Sequence, residues 1–463
     1  MRKLVKTEEY LKREKEIIGT TTVDMRGPVL RRGKGAVIID IDGNEYLDFI
    51  SQIGLVNTGH TPKFVALAIK QQTGQLHACI SADWPYQTEI VIGGKKMEVS
   101  RVALAEKLVE LTDKIMPFKK RVYFEVSGAT TVNLALKIAK YAHLKNSGCL
   151  QEELEMMLND DIFIPYKKPL KYSSCKFSFL TFKNTFAGRH GEAQCLTNSK
   201  KAQLVGASSS CAFGKLPFPD KTVYWGKLWD EVKLTKEVLL DYEAGPLIAF
   251  EFEPVQGEGG INIPEGNLLR RLIEHLRDEL NLYIIADEIQ TGFGRTGKMF
   301  ACEHFGITPD MICLSKSLGA GLPIGAVVVN AEKFPDFEQG MHSSSFHAHP
   351  LSVAAAIANI DFIERINLVE KAANLGAYAL ERLKKIISSC DQIVDVIGLG
   401  LMIGIELESV SAREKIIESC KDKGLLLAGA GEKTIRFMPP LTVTICQLDK
   451  ALKIIAESLK EVF

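Results

Sequence analysis

The chain has 463 residues, with 57 Lys+Arg against 57 Asp+Glu, a formal net charge of zero, 46% hydrophobic and 25% charged residues. That composition belongs to a folded globular chain and excludes disorder, which requires low hydrophobicity and high net charge. Without a basic excess, binding of nucleic acid through the overall field is excluded as well. At about 100–200 residues per domain the length allows two to four domains. The ten cysteines form no Cys-x-x-Cys pair and no Cys/His run of zinc spacing. There is no charge-free apolar run of about 18 residues and no apolar leader segment, so neither a membrane span nor a membrane partner is expected. The expected compartment is a reducing cytoplasm with free thiols.

In chain order, a charged segment covers 1–17. Residues 27–50 read as a β-hairpin, with Val37-Ile38-Ile39-Asp40 and Tyr46-Leu47-Asp48-Phe49 flanking Asp42-Gly43-Asn44. Val122-Tyr123-Phe124 is an apolar strand that runs through Ser127-Gly128-Ala129 into a helical stretch. A second charged segment at 145–172 reads as an excursion with a short surface helix around Glu152 and a loop at 165–169. Leu247-Ile248-Ala249-Phe250-Glu251-Phe252 is of the buried-strand type. Pro264-Glu265-Gly266 then opens a helix with Leu268, Leu269, Leu272, Ile273 and Leu276 at helical spacing. Further strands follow at 283–286, 311–314 and 326–329. Apolar strands alternating with helices predict a parallel sheet covered on both faces. Beyond about 345 the pattern becomes α+β: helices at 350–363 and 368–389, strands at 394–397 and 402–407, and a last helix at 448–462.

Two strands end in chemistry. Asp287 closes one and Lys316 follows another, each before a Gly-rich turn. In open α/β sheets ligands bind outside that edge, so both side chains should reach one crevice. Taken singly, an N-cap Asp and a surface Lys explain them equally well.

Taken together, Glu253-Pro254-Val255-Gln256-Gly257-Glu258-Gly259-Gly260, the stretch 286–297 and the stretch 316–325 resemble the class III (ω-) aminotransferases. These are pyridoxal-phosphate enzymes of fold type I. Asn57-Thr58-Gly59-His60 and Ile435-Arg436-Phe437-Met438-Pro439-Pro440 extend the resemblance over about 27–460. Within the family the chain is most similar to members acting on 4-aminobutyrate and related ω-amino acids. The resemblance implies an α/β fold with a mostly parallel seven-stranded sheet. It also implies a large cofactor domain at 61–340 and a smaller α+β domain built from 1–60 plus 341–463.

The resemblance also assigns roles. Lys316 matches the lysine that forms the Schiff base with the cofactor aldehyde and shuttles the proton, which suits an amine made neutral by desolvation. Asp287 matches the partner of the pyridinium nitrogen, whose protonation makes the ring an electron sink. Ser127, Gly128 and Ala129 match a phosphate cradle at a helix N-terminus. The family's Glu-Ala-Asn/Val-Glu is here replaced by Thr130-Thr131-Val132-Asn133. Phe186 and Ile289 would flank the ring, Gln290 would lie near its hydroxyl, and Glu253 belongs to the same cofactor-binding set. Ordinary core packing is the plain alternative for the apolar pair. Ser345 would replace the Thr that meets the phosphate of a neighbouring subunit, which implies a homodimer with shared sites.

For substrates, Arg189 and Arg436 match carboxylate-binding positions, where a planar guanidinium makes two parallel hydrogen bonds. Glu258 matches an acid that neutralises Arg436 when the donor has no α-carboxylate. Ile53 matches an apolar pocket position. The implied reaction transfers an amino group from a 4-aminobutyrate-like donor to a 2-oxo acid such as 2-oxoglutarate. A racemase or epimerase of the same family would share every cofactor residue. His342, His347 and His349 have no metal-motif spacing, so no metal is expected.

Overall fold

The computed structural model describes residues 4–19, 27–79, 84–150, 177–207, 211–241, 244–388 and 390–463. The surface helix expected around Glu152 and the loop at 165–169 lie outside these residues. The charged N-terminal segment forms helix Val5–Ile17, and Asp42 accepts from the backbone N–H groups of Lys6 and Thr7, at 2.9 Å each.

A seven-stranded sheet organises the molecule. Its order is Lys120–Glu125, Gly325–Asn330, Met311–Leu314, Tyr283–Asp287, Leu247–Phe252, Ser178–Phe182 and Ala212–Leu216. Six of these strands run in one direction, five of them paired side by side in parallel. Strand Gly325–Asn330 is antiparallel to both neighbours, a direction that hydrophobic periodicity does not encode. Alternation along the strands feeds two cores. Phe250, Phe252, Ile284, Ala286, Ile312 and Leu314 pack with helix Gly266–Asp278 on one face. Ala249, Ile285, Met311 and Cys313 pack with helix Gly128–Ser147 on the other.

The predicted hairpin forms from Val37–Asp40 and Glu45–Asp48. Its outer strand pairs in parallel with Leu425–Leu426, which joins the two ends of the chain. A C-terminal antiparallel sheet of Ile393–Leu399, Met402–Leu407, Thr434–Phe437 and Ala428–Ala430 carries Arg436. The long helices appear at Pro350–Arg365, Leu368–Ile387 and Ile445–Val462.

Arg295 fastens these parts. Its guanidinium is fully buried and donates to Leu401 O at 2.9 Å, Pro439 O at 2.6 Å and Asn57 Oδ1 at 2.6 Å. Asn57 in turn donates to the carbonyls of Gly292 and Phe293, at 3.4 and 3.3 Å. One side chain therefore ties the turn after Asp287 to both the N-terminal segment and the C-terminal sheet. Arg295→Leu strands two buried carbonyls and an amide oxygen, each costing about 1–3 kcal/mol. Thermal denaturation should show a large drop in melting temperature, and a wild-type melting point would show the hub to be dispensable.

Candidate active site

Four parallel strands present their C-terminal ends to one crevice. Leu247–Phe252 delivers Glu253, Tyr283–Asp287 delivers Asp287, Met311–Leu314 leads to Lys316, and Ser178–Phe182 leads to Phe186. Glycines set how closely the connecting turns approach. A Cβ on Gly188 would stand 2.6 Å from that of Ala129, so the Phe186–Arg189 turn lies on the helix N-terminus. A Cβ on Gly128 would stand 3.1 Å from Ile289, and one on Gly257 would fall 1.9 Å from Gln290 Oε1. The structure thus brings Gly128, Ala129, Gly188, Gly257, Ile289 and Gln290 into one wall.

Helix Gly128–Ser147 begins in a reciprocal cap. Ser127 Oγ accepts from Thr130 N at 3.3 Å, and Thr130 Oγ1 accepts from Ser127 N at 3.1 Å. Thr130 therefore fills the capping role that a Glu would fill three residues on. The N–H groups of Gly128 and Ala129 donate to no partner among the described residues. Two free donors at a helix N-terminus suit an anion. Asn133 replaces the family's second Glu and ties the neighbouring turn: it donates to His190 O at 3.2 Å and accepts from Ala193 N at 2.8 Å.

Asp287 is buried, and its Oδ1 accepts from Ile289 N at 2.8 Å. Burial pushes its carboxyl up to about 7, against the pull of that hydrogen bond and of Lys316. Lys316 is pushed down to about 8 by desolvation, with Asp287 opposing and Arg436 assisting. Its backbone holds a left-handed φ of 30°, a conformation that costs a non-glycine residue about 1–3 kcal/mol and clusters at functional sites. The flanking backbone is anchored: Asn359 donates to Ser317 O at 2.7 Å and accepts from Thr58 Oγ1 at 2.9 Å.

Both oxygens of Glu253 are already occupied, by Phe186 N and Gly257 N at 3.0 Å each. Within the chain Glu253 thus braces the turns around the crevice. Burial and then Asp287 push its carboxyl up to about 8, while the two N–H donors pull it down.

Arg436 is buried to 2% exposure and donates from Nη2 to Glu258 Oε2 at 2.8 Å and to Gly429 O at 2.9 Å. Its Nε and Nη1 have no partner among the described residues. Arg189 is half-buried, with its guanidinium 5.8 Å from the Phe186 ring centroid and no carboxylate of the described residues in ion-pair range. Ile53 is 40% exposed in the turn 51–54. There a Cβ on Gly54 would stand 3.7 Å from Gln290 Cγ. Ser345 is not brought to this cluster within one chain. It lies exposed on the loop before helix Pro350–Arg365. His342 Nε2 lies 3.2 Å from Glu125 Oε1, and no metal-holding group of His, Cys, Asp or Glu occurs among the described residues.

Sequence reasoning missed two charged residues here. Lys200 reaches Glu258 Oε1 at 2.7 Å. Glu251 is fully buried on the sheet face that carries Glu253 and Asp287, with Thr181 Oγ1 3.0 Å from Oε2 and no partner for Oε1. Its position inside an otherwise apolar strand was the available signal.

The comparisons agree with this geometry. The aminotransferase class III family profile matches residues 20–459. The acetylornithine aminotransferase of Methanocaldococcus jannaschii is 33% identical over 434 residues, 94% of each chain. That of Methanothermobacter thermautotrophicus is 32% identical over 456 residues, 98% of this chain and 99% of that protein. Among solved structures, an ornithine aminotransferase from Toxoplasma gondii, with pyridoxal phosphate at its active site, superimposes with a TM-score of 0.79 at 26% identity, covering 100% of this chain and 96% of the other. The acetylornithine aminotransferase of Elizabethkingia anophelis gives 0.74 at 26% identity, covering 98% and 99%.

The chain belongs to the class III aminotransferases. It is a pyridoxal-phosphate enzyme of fold type I that moves an amino group from a donor to a 2-oxo acid. The residues present suit that cofactor: two unpaired helix N–H groups for a phosphate, an unpartnered Gln290 Oε1, a carboxyl that gains from a cationic partner, and an amine of lowered pKa. No helix among the described residues is long and apolar enough to cross a membrane.

Glu251 gives a stability prediction. Burial pushes its carboxyl well above the ordinary value, and Asp287 and Glu253 add to the rise. A carboxyl raised on folding keeps a proton that the unfolded chain releases, so stability falls as pH climbs from the ordinary carboxyl range toward the raised value. Glu251→Gln removes this loss. Its melting temperature should exceed the parent's at about pH 7–8, and the gap should close near pH 4. A gap that does not change with pH would contradict a neutral Glu251.

Proposed function

We propose that the enzyme transfers the terminal amine of an ω-amino acid to 2-oxoglutarate, and that Arg189, Arg436 and Glu258 sort the two substrates. The observation that carries this reading is the buried Arg436–Glu258 pair at 2.8 Å, together with an Arg189 that lies over the Phe186 ring and has no carboxylate partner among the described residues. An ω-amino donor brings its carboxylate to Arg189 while Glu258 keeps Arg436 neutralised. 2-Oxoglutarate carries two carboxylates. Glu258 then turns away, and the unpartnered Nε and Nη1 of Arg436 take the second.

The relatives' names favour N-acetylornithine as donor. 4-Aminobutyrate, to which the sequence resemblance points, offers the same amine and carboxylate on a chain one carbon shorter without the acetamido group.

Pyridoxal phosphate supplies an aldehyde that takes up amines and a ring that withdraws electrons from the adjacent carbon. Ser127, Gly128 and Ala129 would hold its phosphate, Phe186 and Ile289 would flank its ring, and Gln290 would lie by its hydroxyl. Asp287 would hold the proton on its nitrogen. Glu253 braces the turns that carry Phe186 and Gly257. Lys316 Nζ would hold that aldehyde through its neutral amine, of which a pKa of about 8 leaves roughly one part in ten at pH 7, and would be freed when the donor's amine takes its place. Once freed, the Lys316 amine would take the proton from the carbon bearing the donor's amine and, as an ammonium, would give it up again. Ile53 borders the donor's path. Ser345 and the exposed loop around it would meet a second subunit, completing the phosphate site in a homodimer.

Two measurements test this reading. Adding N-acetylornithine or 4-aminobutyrate to the holoenzyme without a 2-oxo acid should change the cofactor's absorption, and Lys316→Ala should abolish turnover with both donors. Arg436→Ala should lower kcat/KM for the 2-oxoglutarate half-reaction about a hundredfold, the scale of a lost bidentate charge pair, and the donor half far less. Equal damage to the two halves would remove the sorting role.

A further inference from the structure

We infer that Lys200 is a specificity-determining positioning residue: it holds Glu258 when Glu258 leaves Arg436, and so favours binding of the dicarboxylate substrate. This deepens the sorting reading above and rests on it.

Glu258 lies between two cations of different character. Oε2 meets Arg436, 2% exposed, at 2.8 Å, and Oε1 meets Lys200, 44% exposed, at 2.7 Å. Burial pushes the Glu258 carboxyl up, but Arg436 and Lys200 together bring it below its ordinary value. Between these two cations Glu258 is held as the carboxylate, and when it leaves Arg436 it needs another partner for that charge.

The two partners differ in how they are held. Arg436 is fixed by Gly429 O and by its strand. Lys200 projects toward the solvent side on a flexible stem whose ammonium can follow a moving carboxylate. Its backbone is stapled to the turn that carries Phe186 and Arg189. Asn198 N and Ser199 N donate to Thr185 O at 2.7 and 3.1 Å, and Thr197 Oγ1 accepts from Ala187 N and Gly188 N. The base of Lys200 thus keeps its place on the substrate side of the crevice while its tip moves.

The thermodynamic consequence has a definite sign. With Glu258 on Arg436, removing Lys200 costs Glu258 the second of two partners, and that partner is the solvent-screened one. With Glu258 turned away, Lys200 is the one of these two cations that remains, so its removal costs more. Lys200 therefore lowers the free energy of the turned-away state relative to the paired state.

The test uses the holoenzyme. Lys200→Met should reduce the ratio of kcat/KM for the 2-oxoglutarate half to that for the donor half about threefold, the scale of a partly exposed ion pair. The change should lie in KM, with kcat of each half little altered. Calorimetric Kd for glutarate, a non-reacting dicarboxylate, should rise by a similar factor, and that for pentanoate should rise less. Lys200→Arg should restore the ratio to within about twofold. If Lys200→Met weakens both halves equally, or the donor half more, while Arg436→Ala remains selective, the role of Lys200 is overturned and the sorting reading stands. If Arg436→Ala itself is unselective, both fall. Should Lys200→Met melt early, Lys200→Gln gives the same comparison.

Discussion

The site depends on one buried guanidinium that touches no substrate. Arg295 follows the strand that ends in Asp287, and its donors close onto Asn57, Leu401 and Pro439. Pro439 stands three residues beyond Arg436, and Asn57 stands four residues beyond Ile53. The cation thereby sets the distance between the sheet edge that carries Asp287 and Lys316 and the chain ends that carry Ile53 and Arg436. Burial pushes Arg295 down to about 9, opposed by Asp48. It stays charged at neutral pH, with its donors held by two backbone carbonyls and the Asn57 amide oxygen.

The crevice places like charges close together and lets burial separate their states. Glu251, Glu253 and Asp287 share one sheet face, and burial pushes all three carboxyls up. Lys316 is the cation that opposes this for Asp287 and Glu253. A site with surplus carboxyl groups and a lysine of lowered pKa gains when a cationic ring nitrogen arrives. With the cofactor nitrogen placed at Asp287 as proposed, its binding and the relief of this electrostatic frustration would be the same event.

Much of this was legible in the sequence. Apolar runs of strand length that end in a polar residue and a Gly-rich turn located Asp287 and Lys316, because strand ends and ligand edges coincide in α/β sheets. Motif order supplied Arg436 and its partner Glu258, which the structure pairs. The antiparallel course of Gly325–Asn330 was hidden because an apolar strand reads the same in either direction. Lys200 was hidden for a different reason. It sits in the polar run Ser199-Lys200-Lys201, and its partner is 58 residues away along the chain. Asn133 looked like a lost acidic side chain, whereas it acts as a bracket between a helix and the next turn.

The capped start of helix Gly128–Ser147 has a consequence for ion balance. Its first turn carries no acidic side chain, because a hydroxyl does the capping. The amide ends of the helix, equivalent to about half a positive charge, therefore face the crevice without a local counter-charge. With a neutral cap, and with the cofactor's phosphate placed at this helix start as proposed, inorganic phosphate or sulfate becomes a natural competitor for it in the apoenzyme. The speed with which apoenzyme regains its cofactor should then depend on which buffer it is kept in.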